Sequence, residues 1–309
     1  MRAVVLDSDS LGSDLTLSEF ESLPVTLTRY PTTTPEQVIE RIRDAEIVLV
    51  NKVVLNADAL GQAEKLRYVG VLATGTNNVD TEYCQQHGIT VNNVEGYGTD
   101  SVAQHAMMLL LNLATSFVPT MQQVKQGDWS RSPFFCLLDN PVMELAGKHL
   151  IIVGYGTLGQ RFAELARAFG MKVSVAARPG TTSAERRALD DLLPEADVVS
   201  LHCQLSAQTE QLINAERLRL MKPTALLINT ARGGLIDELA LADALTNGQI
   251  GGAGLDTLSV EPPPADHPLL SLSLPNLIIT PHSAWSAKEA RQRLLKMAVA
   301  KLEQFIEAS

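Results

Sequence analysis

His149-Leu150-Ile151-Ile152-Val153-Gly154-Tyr155-Gly156-Thr157-Leu158-Gly159 is the stretch that decides the fold. It opens as an apolar run rich in β-branched residues. Three glycines follow with the spacing Gly-x-Gly-x-x-Gly, and an amphipathic pattern from Leu158 to Phe169 begins among them. The reading is a buried strand, a tight turn and a helix. In that setting each glycine has a task. Gly154 permits the turn, Gly156 has no Cβ and lets the backbone approach a pyrophosphate, and Gly159 lets the helix pack close to the strand. The helix N-terminus adds unpaired N–H groups and the positive end of its dipole. The pattern predicts a dinucleotide-binding loop made by Gly154, Tyr155, Gly156, Thr157, Leu158 and Gly159, the alternative being a merely structural tight turn.

Outward from this loop, short apolar runs alternate with helical patterns along almost the whole chain. Candidate strands on the amino side are Ala3–Leu6, Val25–Thr28, Ile47–Val50 and Tyr68–Val71. A second series comprises Leu150–Val153, Lys172–Val175, Val198–Leu201, Ala225–Asn229, Gly252–Leu255 and Leu277–Thr280. Amphipathic segments such as Pro35–Arg43 and Glu238–Leu245 separate them. Continuous apolar strands alternating with helices predict an α/β fold with parallel sheets covered on both faces. Two series predict two doubly wound units. Between them, Ser101-Val102-Ala103-Gln104 has capping-box spacing and is expected to open a helix that is apolar on nearly every face through Leu113. The stretch from Gly127 to Gly147 has no clear period and reads as an irregular arm whose aromatics could meet a partner subunit. A final amphipathic pattern, Ala287 to Ile306, follows the second series and is expected to return to the first.

The chain has 309 residues, with 25 basic and 35 acidic side chains and a formal net charge of −10. A binder of phosphate backbones or anionic lipid ordinarily presents a basic face, so neither nucleic acid nor a membrane is an expected partner. The opening Met1-Arg2-Ala3-Val4-Val5-Leu6-Asp7 is too short for a signal-peptide core, and the richest apolar stretch, near Ala106 to Ala114, falls below the ~18 residues of a membrane span. Cys84, Cys136 and Cys203 are far apart and odd in number. They predict free thiols in a reducing cytoplasm, with no metal-ligand spacing.

About twenty residues after the glycines, an NAD enzyme ordinarily places an acid to hold the ribose 2′-hydroxyl. Here the strand Lys172–Val175 runs into Ala176-Ala177-Arg178-Pro179-Gly180, which contains none. Arg178 suits a 2′-phosphate by charged, paired hydrogen bonds, and Thr181, Thr182, Ser183, Arg186 and Arg187 lie close behind. NADP(H) is therefore expected in preference to NAD(H). The alternative is that Arg178 is a solvated loop residue and the cofactor specificity is mixed.

Three further segments each lie just past a strand's carboxyl end, where open α/β sheets bind ligands. They are Asn229-Thr230-Ala231-Arg232-Gly233-Gly234, the loop from Asp256 to Glu261-Pro262-Pro263-Pro264, and Pro281-His282-Ser283-Ala284-Trp285. Hydride transfer to a 2-keto acid needs a cation to clamp the carboxylate, an acid to protonate the alkoxide and a group to orient that acid. Arg232, His282 and Glu261 supply these types. Arginine gives a permanently charged fork. Histidine can donate and accept a proton near neutrality. A carboxylate beside it stabilises the imidazolium and fixes the ring. Singly, each residue has an ordinary structural explanation. Their joint placement behind a dinucleotide loop points to function.

These features, with Asn51-Lys52-Val53-Val54, Ala73-Thr74-Gly75-Thr76-Asn77-Asn78-Val79-Asp80, Leu201-His202-Cys203, Leu220-Met221-Lys222-Pro223 and Gly254-Leu255-Asp256, resemble the D-isomer-specific 2-hydroxyacid dehydrogenases over essentially the whole chain. Within them the chain is most similar to the glycerate dehydrogenase (hydroxypyruvate reductase) branch. The resemblance implies that Arg232, Glu261 and His282 are an Arg/Glu/His catalytic triad. It implies a flavodoxin-like substrate domain, residues 1–98 plus 286–309, and a Rossmann cofactor domain, residues 99–285, with an interdomain cleft that closes on substrate. It implies that the Leu72–Asn78 loop, with Ala73, Thr74 and Gly75, joins Lys52, Arg232 and His282 at the substrate. Val102, Thr230, Ala231, Arg232 and Asp256 would meet the nicotinamide end, Asp256 accepting from its carboxamide. His202 and Cys203 would border the adenosine. The implied activity is reduction of hydroxypyruvate or glyoxylate, or D-glycerate oxidation in reverse, by a homodimer. Another 2-keto acid, or a dinucleotide-sensing co-repressor on the same fold, are the alternatives. The chain departs from the family at Gln104, where Glu is common, and at Ala177-Arg178, where an acid is common. His87, His105, His149 and His267 read as structural or surface residues.

Overall fold

The computed structural model describes residues 1–178 and 185–309. They form two compact units, Met1–Gly98 with Trp285–Ser309, and Thr99–Ala284.

The first unit holds a five-stranded sheet of β1 (Arg2–Val5), β2 (Thr26–Arg29), β3 (Ile47–Val50), β4 (Tyr68–Val71) and β5 (Thr90–Asn92). All neighbours pair parallel, in the order β2-β1-β3-β4-β5. The central strands β3 and β4 are buried at every position, which is why they read as unbroken apolar runs. The helix Pro35–Ile42 covers one face through Val38 and Ile42. It begins with a full capping box, Thr34 with Gln37, and with proline at the first turn. The C-terminal helix Lys288–Glu307 covers the other face, setting Ala290, Leu294, Leu295, Ala298 and Leu302 against Ala3, Val5, Ile47, Leu49 and Tyr68. Each buried leucine contributes roughly 1.5–3 kcal/mol of transfer free energy before entropy is counted.

The second unit holds a six-stranded parallel sheet of β6 (His149–Val153), β7 (Lys172–Val175), β8 (Val198–Leu201), β9 (Leu226–Asn229), β10 (Gly252–Leu255) and β11 (Leu277–Ile279). Its order is β11-β10-β9-β8-β6-β7. The helices Thr99–Ala114 and Thr157–Ala168 cover one face, burying Ala106, Leu109, Leu110, Leu113, Phe162, Ala163 and Ala166 over Leu150, Ile152, Val198 and Ile228. The helix Glu238–Thr246 packs on the other face with Leu241, Ala244 and Leu245. The expected two-sheet α/β architecture is observed. Among the described residues no single helix is long and apolar enough to cross a membrane.

Three local expectations are corrected. The helix expected to open at Ser101 begins at Thr99, and the Ser101 hydroxyl donates to the Ala284 carbonyl (2.5 Å) instead of capping. Strand β5 was not anticipated, since only Val91 of its three residues is apolar. The expected irregular arm has the helix Phe117–Lys125 before it and holds a short helix, Asp128–Arg131. Beyond these the arm is open and exposes Phe134, Phe135 and Leu138 at 72%, 91% and 85%.

Candidate active site

The glycine loop follows β6 as a strand that turns at once into a helix. Gly154 has φ +93°, and a Cβ there would lie 2.5 Å from the Cys203 nitrogen. Only glycine fits both demands. A Cβ on Gly159 would lie 2.1 Å from the Gly154 carbonyl oxygen, so the helix Thr157–Ala168 seats directly on the turn. Gly156, the helix N-cap, is different: a Cβ there meets nothing within 4 Å. No side chain caps this end, and the N–H groups of Gly156, Thr157 and Leu158 donate to no group among the described residues. Tyr155 has the Arg186 guanidinium over its ring at 5.6 Å and the Arg167 guanidinium at 3.5 Å from its hydroxyl.

His202 and Cys203 follow β8 and form the wall behind Gly154. The His202 N–H donates to the Val153 carbonyl (2.7 Å), and its Nε2 lies 2.9 Å from the Ser200 hydroxyl. Its Nδ1 is buried with no partner among the described residues. Burial pulls the imidazole pKa down to about 4, and it pushes the Cys203 thiol up to about 11. Arg178 is exposed three residues past the end of β7, after the buried Ala176 and Ala177. The Ala177 N–H donates to the Arg187 carbonyl (2.9 Å). The Arg187 side chain itself is committed to Glu195 at 2.8 Å. Thr181, Thr182 and Ser183 lie outside the described residues.

The polar segments after β9, β10 and β11 are tied to one another. Asn229 is fully buried at the end of β9. Its side chain accepts from the Ala231 N–H (3.0 Å) and donates to the Arg232 carbonyl (2.8 Å), which fixes the turn that presents Arg232. A Cβ on Gly233 would lie 1.9 Å from the Leu258 carbonyl carbon, so the Arg232 turn and the Glu261 loop touch through their backbones. Glu261 accepts from the Leu258 N–H through Oε1 (2.9 Å) and meets His282 Nδ1 through Oε2 (2.6 Å). Both side chains are one-third exposed, 33% each. His282 has φ +48°, an uncommon conformation for a side chain with a Cβ.

Asp256 holds that conformation in place. Its carbonyl accepts from the His282 N–H (2.8 Å). Its carboxylate, in a residue only 1% exposed, accepts from the Ser283 and Ala284 N–H groups (2.9 Å each) and the Thr280 hydroxyl (2.6 Å), with His105 Nε2 at 3.3 Å. Burial acts to raise the Asp256 pKa, but the bonds from His105, Thr280, Ala284 and Ser283 outweigh it and hold the carboxyl below its ordinary value. Asp256 is thus first an anchor for the His282 loop. Val102 is half-buried between Ser101, which bonds Ala284, and His105, which bonds Thr280. Sequence reasoning left His105 as structural and did not single out Asn229. Asn229 ends a fully buried strand, and that was its available signal.

In the first unit, Lys52 is exposed with its ammonium 5.1 Å from the Trp285 ring centroid. Ala73, Thr74 and Gly75 follow β4. The Thr74 hydroxyl donates to the Val94 carbonyl (2.9 Å), while the N–H groups of Thr74 and Gly75 donate to no group among the described residues.

A dinucleotide fits the second unit on three observations. The glycine-loop N–H groups have no protein acceptor among the described residues. The space at Gly156 is open. The Thr230 hydroxyl is buried without a partner among those residues, as a contact awaiting a ligand would be.

Comparison with known proteins agrees with this geometry. Residues 107–284 match the family model for the D-isomer specific 2-hydroxyacid dehydrogenase NAD binding domain. The glycerate dehydrogenase of Methylorubrum extorquens is 43% identical, covering 99% of this chain and 96% of that protein. The hydroxypyruvate reductase of Blautia hydrogenotrophica is 41% identical, covering 100% and 98%. The crystal structure of the TT0316 protein from Thermus thermophilus superposes with a TM-score of 0.86 at 34% identity, covering 100% and 97%. The chain belongs to the D-isomer-specific 2-hydroxyacid dehydrogenase family. It is a nicotinamide-dependent oxidoreductase acting on a small hydroxy or keto acid.

Proposed function

We propose that this protein reduces hydroxypyruvate or glyoxylate with NADPH, and oxidises D-glycerate in the reverse direction. The carrying observation is the 2.6 Å contact of His282 Nδ1 with Glu261 Oε2, on a loop in backbone contact with the Arg232 turn. The nicotinamide, when bound, supplies the hydride that arrives at C2 of the keto acid. With Nδ1 turned to Glu261, His282 gives the proton on Nε2 to the carbonyl oxygen and regains one from solvent. Glu261 holds the ring and stabilises the imidazolium. Arg232 clamps the substrate carboxylate with its charged fork. Lys52, Ala73, Thr74 and Gly75 are the further substrate contacts, and the N–H groups of Thr74 and Gly75 suit a carboxylate. The loop Gly154–Gly159 takes the pyrophosphate. Val102, Thr230, Ala231 and Asp256 serve the nicotinamide end, and His202 and Cys203 the adenosine. One acceptor direction on Asp256 Oδ2 accommodates the carboxamide, since Ala284 is that oxygen's one partner among the described residues.

Preference for NADPH rests on Arg178, exposed three residues past β7 where an NAD enzyme would place an acid. The exposed Trp129, Phe134, Phe135 and Leu138 support a homodimer joined through the arm. The free thiols support a cytoplasmic protein.

The test is a matrix of initial rates crossing hydroxypyruvate, glyoxylate, pyruvate and larger keto acids with both reduced cofactors. Hydroxypyruvate or glyoxylate with NADPH should give the highest kcat/KM. His282→Ala should lower kcat by about 10²-fold or more while NADPH affinity stays within twofold. Wild-type kcat in that variant would remove His282 from the chemistry. Arg178→Asp should move the cofactor ratio towards NADH, and an unchanged ratio would sink the 2′-phosphate assignment.

A further inference from the structure

We propose that Glu238 and His267 form a buried positioning pair that sets the reach of Glu261 to His282. The inference rests on the acid/base reading of His282 and Glu261. The two side chains are 11% and 5% exposed, among the least exposed ionisable groups near this site. Glu238 is the first residue of the helix Glu238–Thr246, but it does not cap that helix. Asp237 does so, accepting from the Ala240 N–H at 3.1 Å. The Glu238 carboxylate is turned to the Glu261 loop instead. Its Oε1 accepts from the Ser259 N–H (2.8 Å), and its Oε2 accepts from the Ser259 hydroxyl and from His267 Nε2 (3.2 Å).

The tautomer of His267 follows from its other nitrogen. The Leu269 N–H donates to Nδ1 at 3.3 Å, so the ring proton sits on Nε2 and is donated to Glu238. The ring is itself held by its own turn, where the His267 N–H donates to the Pro264 carbonyl and the Ser271 N–H to the His267 carbonyl, both at 3.1 Å. Glu238 therefore accepts from three donors, two of them from Ser259.

Ser259 is the pivot. It lies one residue after Leu258, whose N–H donates to Glu261 Oε1 (2.9 Å), and two before Glu261. On its other side the backbone of Leu258 and Ser259 is in contact with Gly233, where a Cβ would come within 1.9 Å of Leu258. The turn is gripped between Glu238 and Gly233. From the turn so held, Glu261 meets His282 Nδ1 at 2.6 Å. A misplacement on the order of 1 Å in such a contact can cost about 10²-fold in rate. Freeing Ser259 should therefore slow the chemical step more than it weakens binding.

The test is a double-mutant cycle on the full chain, with hydroxypyruvate and NADPH. The variants are Glu238→Ala, Glu261→Gln and the two combined. Glu261→Gln keeps a hydrogen-bonding group and therefore measurable turnover. Glu238→Ala should lower kcat about 10- to 100-fold, with KM for the keto acid and the NADPH Kd each within about threefold. Glu238→Gln, which keeps one acceptor oxygen for Ser259, should recover part of the loss. On the Glu261→Gln background, Glu238→Ala should add no more than about twofold, because its route to the chemistry is already cut. Losses that multiply in the double variant, or a kcat within twofold in Glu238→Ala, would overturn the proposal. If Glu238→Ala does not fold, His267→Asn takes its place in the cycle with an expected loss of about 3- to 10-fold. Undiminished turnover in both Glu261→Gln and His282→Ala would instead overturn the acid/base reading on which the pair depends.

Discussion

Each of the two sheets has one point where the strand order reverses, and the chain treats the two points oppositely. In the first unit the reversal lies between β1 and β3. Asp7, just past β1 and 5% exposed, fills it. Its carboxylate accepts from the N–H groups of Asn51 (2.9 Å), Lys52 (2.5 Å) and Val53 (3.3 Å), which follow β3. In the second unit the reversal lies between β6 and β8. The corresponding position after β6 is Gly154, which brings no side chain and rests against the backbone of His202 and Cys203. The N–H groups beyond it, at Gly156, Thr157 and Leu158, have no acceptor among the described residues. Switch points in open α/β sheets are natural anion sites because unpaired backbone donors converge there. The first is satisfied by an anion of the chain's own, and the second is kept for one brought from outside. One residue type, Asp or Gly, makes the difference.

The largest effect should come from removing the internal anion. Asp7→Ala leaves three backbone donors without their carboxylate. The Asn51 N–H is buried, and the Lys52 and Val53 N–H groups are partly buried. At about 1–3 kcal/mol for a buried donor left unsatisfied and less for the other two, unfolding free energy should fall by roughly 2–5 kcal/mol in denaturant titration. The NADPH Kd should stay within threefold, because the second switch point is untouched. A loss below about 1 kcal/mol would mean that water replaces the carboxylate and that the two points differ less than their residues suggest.

Next in size is the opposite operation, filling the second point. Gly156 has φ −78°, ordinary for any residue, and open space where a Cβ would go. Gly156→Ala should therefore leave the melting temperature within about 2 °C while weakening NADPH binding about 10- to 100-fold, equivalent to roughly 1.4–2.8 kcal/mol. Equal affinities in variant and wild type would show that the phosphates do not approach this backbone. Together the two variants separate a switch point that carries stability from one that carries binding.

This contrast was half legible in the sequence. The glycine loop stood out because its spacing, its preceding strand and its following helix all agree, and the buried strands stood out as continuous apolar runs. Asp7 did not stand out, since an acid after a strand looks like any turn residue until its three donors, more than forty positions later, are seen. Strand β5 is three residues at a sheet edge with one apolar side chain, too little pattern to detect. The residue types Arg232, Glu261 and His282 were readable from their places after successive strands. What fixes them was not. The left-handed backbone of His282, its anchoring by Asp256 and the Glu238–His267 grip on Ser259 depend on pairs 20 or more positions apart, such as Ser259 with Glu238 and Ser283 with Asp256. The capping-box spacing at Ser101 misled for the same reason, because its hydroxyl found the Ala284 carbonyl, 183 positions away.

The smallest effect sharpens the comparison through pH. The second switch point has His202 as part of its wall, with Nδ1 buried and partnerless among the described residues, and burial lowers its pKa to about 4. In the unfolded chain the same ring titrates near 6.5. The unfolded state therefore binds the extra proton first as pH falls. The stability attached to the neutral ring is complete above about pH 6.5, declines as pH drops towards 4, and changes no further below. The loss should be on the order of 1 kcal/mol by pH 5.5. Measured without added nucleotide, the unfolding free energies of wild type and His202→Asn should converge by about that amount between pH 7.5 and 5.5. A constant difference across that range would show that the ring titrates as it does in water, and that the wall behind Gly154 is open to solvent. Asp7 leaves no comparable ring at the first switch point, so Asp7→Ala should leave this slope in place.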